Sequence, residues 1–406
     1  MNTELAKGVN WVGHIDWSVR DFHGYRTERG SSYNAYLVEG TQVALIDTVK
    51  VPYAATLLGQ VRERLGDRPL RYLVCNHAEP DHAGAMAAVM AAFPDVTVVC
   101  NAKCREALGL YGDTSGWTFQ VVKEGTKLDL GGRTLQFFDT PMVHWPESMA
   151  TYLIEEQILF SMDAFGQHYA SGWRFDDEAP MDEVMHEAKT YYANIVLPFA
   201  RPVTAALAKL GTLPIKQVAP SHGVIWRSHI ADIVRAYQDW VVSQAAKKVV
   251  ILFCTMWDST RLMAEAVAEG AMAEAVTVKL IDVNATADTD IVAEVMDCAT
   301  LAVGSATLNM GIMPRLAATM TYLRGLKPAG KAGFAFGSCG WASKGAEEAA
   351  AYLGAMQVEI LHEPITCRFR PDAATLARCR EAGRLLAKRA LTAGLGEVNR
   401  CVTVTT

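Results

Sequence analysis

An apolar run and a cluster of polar residues meet in the segment Tyr72-Leu-Val-Cys-Asn-His77-Ala-Glu79-Pro-Asp81-His82-Ala-Gly84. Four side chains of metal-ligand type lie there within six residues, directly after a predicted strand. Carboxylates and imidazoles next to a core strand lose solvation and repel one another unless a cation gathers them. The segment therefore predicts a metal site at a strand end, with a solvated turn and an aspartate helix cap as the structural alternative.

Three more candidate ligands follow at predicted strand ends or loops: His144 in Thr140–Ser148, Asp163 after the strand 157–161, and His222 before Gly223. A lone histidine is more often a core or surface group, so only the whole set is informative. Four histidines, one glutamate and two aspartates suffice for two metal ions that share a carboxylate. Ligands of this kind, without a thiolate, suit iron or manganese, and zinc stays an alternative.

Length and composition limit the classes of protein that come into question. A chain of 406 residues with 50% hydrophobic residues is expected to form two domains with large cores. The net charge is -6 and no basic block occurs, so we expect no nucleic-acid partner. We see no apolar run of membrane-span length and no secretion signal, and we expect a cytoplasmic protein without a membrane contact. None of the nine cysteines forms a Cys-x-x-Cys pair, which argues against a rubredoxin-type or iron–sulfur module.

The chain changes its pattern near residue 245, which predicts domains 1–246 and 247–406. In the first, short β-rich runs alternate with Gly, Asp and Pro turns and a few helices, such as 81–93 and 180–194, which indicates an α/β sandwich. In the second, five strands are each followed by a helix, which predicts a doubly wound parallel sheet. The predicted strands are 248–254, 277–283, 301–306, 332–337 and 358–361, and the helices are 259–273, 288–297, 314–326, 344–356 and 372–393.

Three loops of the second domain lie where a doubly wound sheet binds its ligand. The first, Phe253-Cys-Thr-Met-Trp-Asp-Ser-Thr260, has neither Gly-x-Gly-x-x-Gly nor a P-loop lysine. Its hydroxyls surround a helix N-terminus, which favours a phosphate held by neutral donors, although a simple helix cap is the alternative. Trp257 or Trp341 could stack on an aromatic ring. The candidate ligand-binding residues of the three loops are Thr255, Met256, Trp257, Asp258, Ser259, Thr260, Ala306, Thr307, Leu308, Asn309, Ser338, Cys339, Gly340 and Trp341.

The order His-x-Glu-x-Asp-His, followed by His, Asp and His, resembles the metallo-β-lactamase fold. The usual hydrolase motif has histidine where Glu79 stands, and this replacement resembles the flavodiiron proteins, or A-type flavoproteins. The first loop of the second domain resembles the phosphate loop of flavodoxin. The likeness covers nearly the whole chain and implies an N-terminal metallo-β-lactamase-like αββα sandwich and a C-terminal flavodoxin-like domain with a five-stranded parallel sheet. Further matching segments are Asp21–Tyr25, Ser32–Leu37, His144–Pro146, Tyr191–Ile195 and Ser221–Val224.

The resemblance implies a ligand set for two iron ions and a place for FMN. One iron would take His77, Glu79 and His144, the other would take Asp81, His82 and His222, and Asp163 would bridge them beside an oxo or hydroxo species. In some family members the position of His82 does not ligate. His23 and one of Tyr191 or Tyr192, of which we take Tyr192, resemble catalytic pocket residues, and packing is the alternative role. FMN would occupy the three loops, although Cys254 and Asp258 depart from the family pattern and Arg261 would offset the added charge.

The resemblance also implies the reduction of dioxygen to water or of nitric oxide to nitrous oxide, and the residues leave the preference open. Electrons would pass through FMN from a separate donor, rubredoxin or reduced deazaflavin, because the chain stops soon after its last predicted helix. A head-to-tail homodimer, alone or as a dimer of dimers, would bring FMN and iron together. A zinc-dependent hydrolase and a plain electron-transfer flavoprotein with an inert metal domain are the competing hypotheses.

Overall fold

The computed structural model describes residues 3–341 and 344–393. The chain divides into two compact units, and the boundary lies between Gln238 and Asp239. The division falls inside the helix Ile230–Val241, whereas the predicted boundary after residue 246 falls just before the strand that begins at Lys248. That boundary stays a prediction. Among the described residues no helix is both long and apolar enough to cross a bilayer.

The first unit is built on two main sheets. Its strands are β1 (Glu4–Ala6), β2 (Val9–Trp11), β3 (His14–Asp16), β4 (Asp21–Phe22), β5 (Tyr25–Arg26), β6 (Ser31–Tyr33), β7 (Tyr36–Glu39), β8 (Val43–Ile46), β9 (Leu70–Val74), β10 (Thr97–Asn101), β11 (Thr118–Val122), β12 (Lys127–Asp129), β13 (Thr134–Asp139), β14 (Met149–Leu153), β15 (Ile158–Met162) and β16 (Gln217–Pro220). One sheet has the order β1-β2-β7-β8-β9-β10-β11 and the other the order β12-β13-β14-β15-β16. The small ribbons β3-β6 and β4-β5 lie outside them.

Helices cover the outer faces of both sheets. They are α1 (Ala54–Leu65), α2 (Pro80–Ala83), α3 (Met86–Ala92), α4 (Ala102–Tyr111), α5 (Met181–Tyr191), α6 (Ala200–Leu210) and α7 (Ile230–Val241). Alternate residues of each strand point to opposite faces, so Val38 and Ile46 meet Phe137 and Phe160 between the sheets, while Leu37 packs towards α1, α3 and α4. On the far side, the second sheet packs against α6. This layering is the predicted αββα sandwich, and the prediction is confirmed.

The second unit contains one sheet between helices. Its strands are β17 (Lys248–Cys254), β18 (Thr277–Asp282), β19 (Thr300–Leu308), β20 (Gly311–Ile312), β21 (Ala332–Cys339), β22 (Glu359–Ile360) and β23 (Ile365–Arg368), and its helices are α8 (Ser259–Met272), α9 (Asp288–Met296), α10 (Pro314–Leu326), α11 (Lys344–Ala355) and α12 (Ala373–Thr392). The order is β18-β17-β19-β21, with β22 and β23 both parallel to β21. The sheet is parallel except for the short strand β20, which pairs antiparallel with β19.

This order is the flavodoxin-like one, so the predicted doubly wound sheet is confirmed. Every residue of β17 is buried, as expected of a parallel strand covered on both faces. The fifth strand differs from the prediction, because it is divided into β22 and β23 by residues that include Pro364, which has no backbone N–H for a ladder. The division places the residues after Arg368 beside the end of β21.

Candidate functional site

The seven candidate metal ligands come from four segments of the first unit, each of which follows a strand. His77 and Glu79 follow β9, and Asp81 and His82 lie in the short helix α2. The remaining three follow later strands: His144 lies between β13 and β14, Asp163 follows β15, and His222 follows β16. Gly84 follows α2 directly. A Cβ at this position would come within 2.2 Å of the Pro80 carbonyl oxygen, so the close approach of the backbone here requires glycine.

The structure brings His77, Glu79, His144 and Asp163 together as a first group. Oε2 of Glu79 lies 3.1 Å from Nε2 of His77 and 3.2 Å from Nε2 of His144. Oδ2 of Asp163 lies 3.4 Å and 3.3 Å from the same two nitrogens. Four ligand atoms of mixed charge therefore point at one small volume.

Asp81, His82 and His222 form a second group next to the first. Oδ2 of Asp81 lies 3.2 Å from Nε2 of His222 and 3.6 Å from Nε2 of His82. The other oxygen of Asp163, Oδ1, lies 3.1 Å from Nε2 of His82 and 3.4 Å from Nε2 of His222. One carboxylate thus presents a different oxygen to each group, as a ligand shared by two ions must.

The two groups pass a test of fit for metal ions. Ligand atoms bound at about 2.1 Å to one tetrahedral or octahedral ion lie about 3.0 to 3.4 Å apart, which matches most of these separations. Within the described residues, buried nitrogen or oxygen atoms of Asp81, His82, His144, Asp163 and His222 have no hydrogen-bond partner. Such atoms are costly to bury unless a further group binds them.

Neighbouring groups orient the ligands. A carboxylate oxygen of Glu147 accepts a hydrogen bond from Nδ1 of His77 at 2.7 Å, and the carbonyl of Ser32 accepts one from Nδ1 of His222 at 2.6 Å. These contacts favour the tautomer with the proton on Nδ1 in both histidines, which leaves Nε2, the nitrogen that faces the other candidate ligands, able to bind a metal ion. The hydroxyl of Tyr191 donates to Oδ1 of Asp163 at 2.7 Å.

The electrostatics of the cluster keep its carboxyl groups ionised. Burial by itself raises the pKa of Asp163, but the charge of His82 and the other surrounding imidazoles hold that pKa well below its ordinary value. Burial likewise lowers the pKa of His144, yet the nearby carboxylates of Asp163 and Glu79 raise the pKa to about 10. The negative charge that the cluster concentrates is the state in which carboxylates bind cations.

The structure places His23 at the cluster but separates the two tyrosines. Nε2 of His23 lies 2.9 Å from Oε1 of Glu79, and its ring stacks on Phe22. Tyr191 contacts the cluster through Asp163, whereas the predicted Tyr192 packs its ring against Tyr237 at 4.9 Å. Tyr191 is therefore the tyrosine that contacts a candidate ligand, and the catalytic roles of His23 and Tyr192 stay predictions.

Two residues of the site went unnoticed in the sequence. Glu147 lies three residues after His144, so a carboxylate beside a candidate ligand was the available signal. His168 is buried, with Nε2 2.9 Å from the Tyr25 hydroxyl and Nδ1 2.9 Å from that of Ser31. Burial and the nearby His222 hold its pKa well below the ordinary value, so the ring is neutral. No local pattern distinguishes such a residue.

A separate pocket lies in the second unit, at the carboxyl ends of its strands. It has a volume of about 610 Å³, which suits a mononucleotide-sized ligand. Ten of the predicted loop residues line it: Met256, Trp257, Ser259, Ala306, Thr307, Asn309, Ser338, Cys339, Gly340 and Trp341. The predicted Thr255, Asp258, Thr260 and Leu308 are not among the lining residues, whereas Met310, Phe369 and Arg370 are.

The end of the pocket near β17 suits a phosphate. Within the described residues, the buried hydroxyl oxygen of Thr255 has no hydrogen-bond partner. The 14-residue helix α8 begins at Ser259, and no side chain caps its N-terminus. Arg261 forms an ion pair with Asp258 at 3.3 Å, as the sequence led us to expect. Free backbone N–H groups and hydroxyl donors are the features that bind a phosphate at a helix N-terminus.

Comparisons with known proteins agree with both sites. Residues 32–223 match the family model described as ODP family beta lactamase, and residues 251–383 match that of flavodoxin. The chain is 40% identical to a nitric oxide reductase of Moorella thermoacetica over 95% of this chain and 98% of that protein.

Solved structures agree as well. The flavodiiron protein from Giardia intestinalis superposes with a TM-score of 0.94 at 35% identity, covering 97% of this chain and 98% of that one. The rubredoxin:oxygen oxidoreductase from Desulfovibrio gigas superposes with a TM-score of 0.93 at 36% identity, covering 98% of this chain and all of that one, 100%.

Proposed function

The chain belongs to the flavodiiron proteins, and from this premise we propose that it reduces dioxygen or nitric oxide at the cluster centred on Asp163. It is an oxidoreductase whose cofactors are FMN and a pair of iron ions. The relatives named nitric oxide reductase and rubredoxin:oxygen oxidoreductase support the two gases as substrates and a rubredoxin as electron donor. A zinc hydrolase and a plain electron-transfer flavoprotein are disfavoured.

One observation carries the proposal. Asp163 directs Oδ2 to the group of His77, Glu79 and His144, and Oδ1 to the group of Asp81, His82 and His222. We propose that these seven residues are the iron ligands and that Asp163 bridges the two ions. Iron and FMN, when bound, would supply the electrons that a diatomic gas needs: four for dioxygen, and two for a pair of nitric oxide molecules.

The protein contributes orientation and protons. Glu147 fixes the tautomer of His77, and Tyr191 holds the bridging carboxylate by a hydrogen bond to one oxygen only. Nε2 of His23 lies at the partly exposed side of the cluster, 2.9 Å from Glu79, where it can hold a proton beside the reacting gas. The buried ring of Phe22 stacks on the ring of His23 and supports it in this position.

The candidate sites for iron and FMN lie in different units of the chain. Electron transfer requires that the two cofactors approach each other, so we propose a head-to-tail homodimer, alone or as a dimer of dimers. Reduced deazaflavin is proposed as an alternative to rubredoxin as the donor. A cytoplasmic location stays a prediction.

The test begins with counting iron and flavin in the purified protein. The protein is then reduced without oxygen and mixed rapidly with each gas in turn. We expect Asp163→Ala to lose iron and turnover but to keep FMN, whereas Asp67→Ala, at an exposed position of the same unit, should behave as the unchanged protein. Two zinc ions per chain, or full turnover in Asp163→Ala, would contradict the proposal.

A further inference from the structure

A positively charged side chain, that of Arg370, lines the flavin pocket. Arg370 is the one charged residue among the lining residues that the structure describes. Within residues 3–341 and 344–393 it forms neither an ion pair nor a hydrogen bond, whereas Arg368, Arg378 and Arg389 all do. The side chain of Arg370 is exposed, so its guanidinium is accessible to a negatively charged or carbonyl-bearing part of a ligand in this pocket.

The sheet order places Arg370 far from the phosphate end of the pocket. The phosphate cradle lies at the end of β17 and the start of α8, and Arg370 follows β23. Along the order β17-β19-β21-β23 there are three strand spacings, or about 14 Å. The ribityl chain of FMN separates its phosphate from its ring, so a group at the far end of the pocket faces the ring.

The segment before Arg370 is attached to the loop after β21. The backbone N–H of Phe369 donates to the carbonyl of Cys339 at 2.7 Å, and Nε of Arg368 donates to the carbonyl of Gly340 at 3.2 Å. The ring of Phe369 packs beside Gly340, 3.6 Å from where a Cβ would stand. These contacts join the end of β23 to a predicted flavin loop, so Arg370 keeps its place relative to that loop.

The conformation at Phe369 indicates that this placement matters. Its φ is +55°, in the left-handed region that residues with a Cβ rarely adopt. Such backbone strain is kept where the surrounding contacts hold it, and it is frequent at ligand sites. This turn follows β23 directly and immediately precedes Arg370, and both Phe369 and Arg370 line the pocket.

We propose that Arg370 binds the ring end of FMN and stabilises the negative charge that the ring carries after two-electron reduction. This rests on FMN as the bound cofactor. A guanidinium close to the ring favours the charged reduced ring over the neutral oxidised one, so Arg370 raises the reduction potential. Arg370 is then a binding and potential-setting residue that the sequence motifs do not include.

The test measures flavin binding and potential rather than turnover. In the iron-loaded full chain, Arg370→Gln should weaken binding of reduced FMN about tenfold more than binding of oxidised FMN, which corresponds to a two-electron midpoint potential about 30 mV more negative. Arg370→Lys, which keeps the charge, should retain most of the potential. Arg384→Gln, on α12 and paired with Glu381, removes an equal charge elsewhere and should change neither quantity.

Each result has one interpretation. An unchanged potential in Arg370→Gln would refute the inference, as would equal weakening of both redox forms, because that pattern belongs to a phosphate contact. A protein that binds no FMN before any substitution would instead refute the function proposed above. If Arg370→Gln retains no flavin, Arg370→Lys is measured instead. Retained flavin with most of the unchanged potential supports the inference, and loss of flavin from Arg370→Lys as well refutes it.

Discussion

The hydrogen bond between His77 and Glu147 allows a quantitative test of the metal centre. Glu147 is buried, and one of its oxygens accepts from Nδ1 of His77 at 2.7 Å and from the backbone N–H of Ala78 at 3.2 Å. Removing such a partner of a ligating histidine typically costs 10- to 100-fold in metal affinity. We expect about tenfold for Glu147→Gln, which keeps the shape and loses the charge, and about 100-fold for Glu147→Ala, or about 1.4 and 2.8 kcal/mol.

The assay is an oxygen-free titration of the metal-free protein with ferrous iron in competition with a coloured chelator. Two binding steps are expected, one for each iron ion. In the Glu147 variants, only the binding step at the group that contains His77 should weaken. Glu106→Ala, at an exposed position of α4, is the matched control for loss of a glutamate. Thermal unfolding separates loss of metal from loss of fold. Two unchanged binding steps in Glu147→Ala would refute the assignment of His77 as an oriented ligand.

Three further outcomes are expected. Tyr191→Phe should lower iron affinity and turnover, because it removes the hydrogen bond to Asp163, whereas Tyr192→Phe should change neither. Iron content and gas consumption are measured on both variants. Equal effects would contradict the assignment of Tyr191 as the tyrosine of the metal centre. Gly223→Ala should destabilise the first unit by about 2 to 4 kcal/mol, since φ is +80° and a Cβ would come within 2.1 Å of Oε1 of Gln167, as denaturant unfolding can measure. Removing both metal ions with a chelator should lower the melting temperature, because ligands that bind only the folded state stabilise it. An unchanged melting temperature would contradict metal binding at this cluster.

Regular elements of the second unit were predictable because their patterns are local. The strand Lys248–Cys254 and the helix Pro314–Leu326 have the bounds that the sequence predicts. Continuous apolar runs and helix-forming segments between turn residues report on neighbouring residues only. Irregularities were not predictable in this way. The predicted helix 81–93 is interrupted after Ala83, where Gly84 packs against Pro80, and the fifth strand is divided into β22 and β23.

The amino-acid sequence alone determined the chemistry of the candidate ligands. The types of these residues and their order are properties of the chain. That the strand ends which bear them lie at one edge of the sheets follows from the class of fold. The tertiary structure decided which side chains face one another. Tyr191 and Tyr192 are adjacent, and consecutive side chains of a helix point about 100° apart. Only packing selects Tyr191 for Asp163 and directs Tyr192 to Tyr237.

Tertiary packing also decided which residues support the two sites. Glu147 reaches His77 across 70 positions of the chain, and Phe369 reaches Cys339 from another strand. A contact between distant segments depends on how whole sheets and loops pack, which the periodicity of a single segment does not record. Local sequence therefore specifies which groups the protein has for its chemistry, while long-range packing determines their distances and so which of them act together.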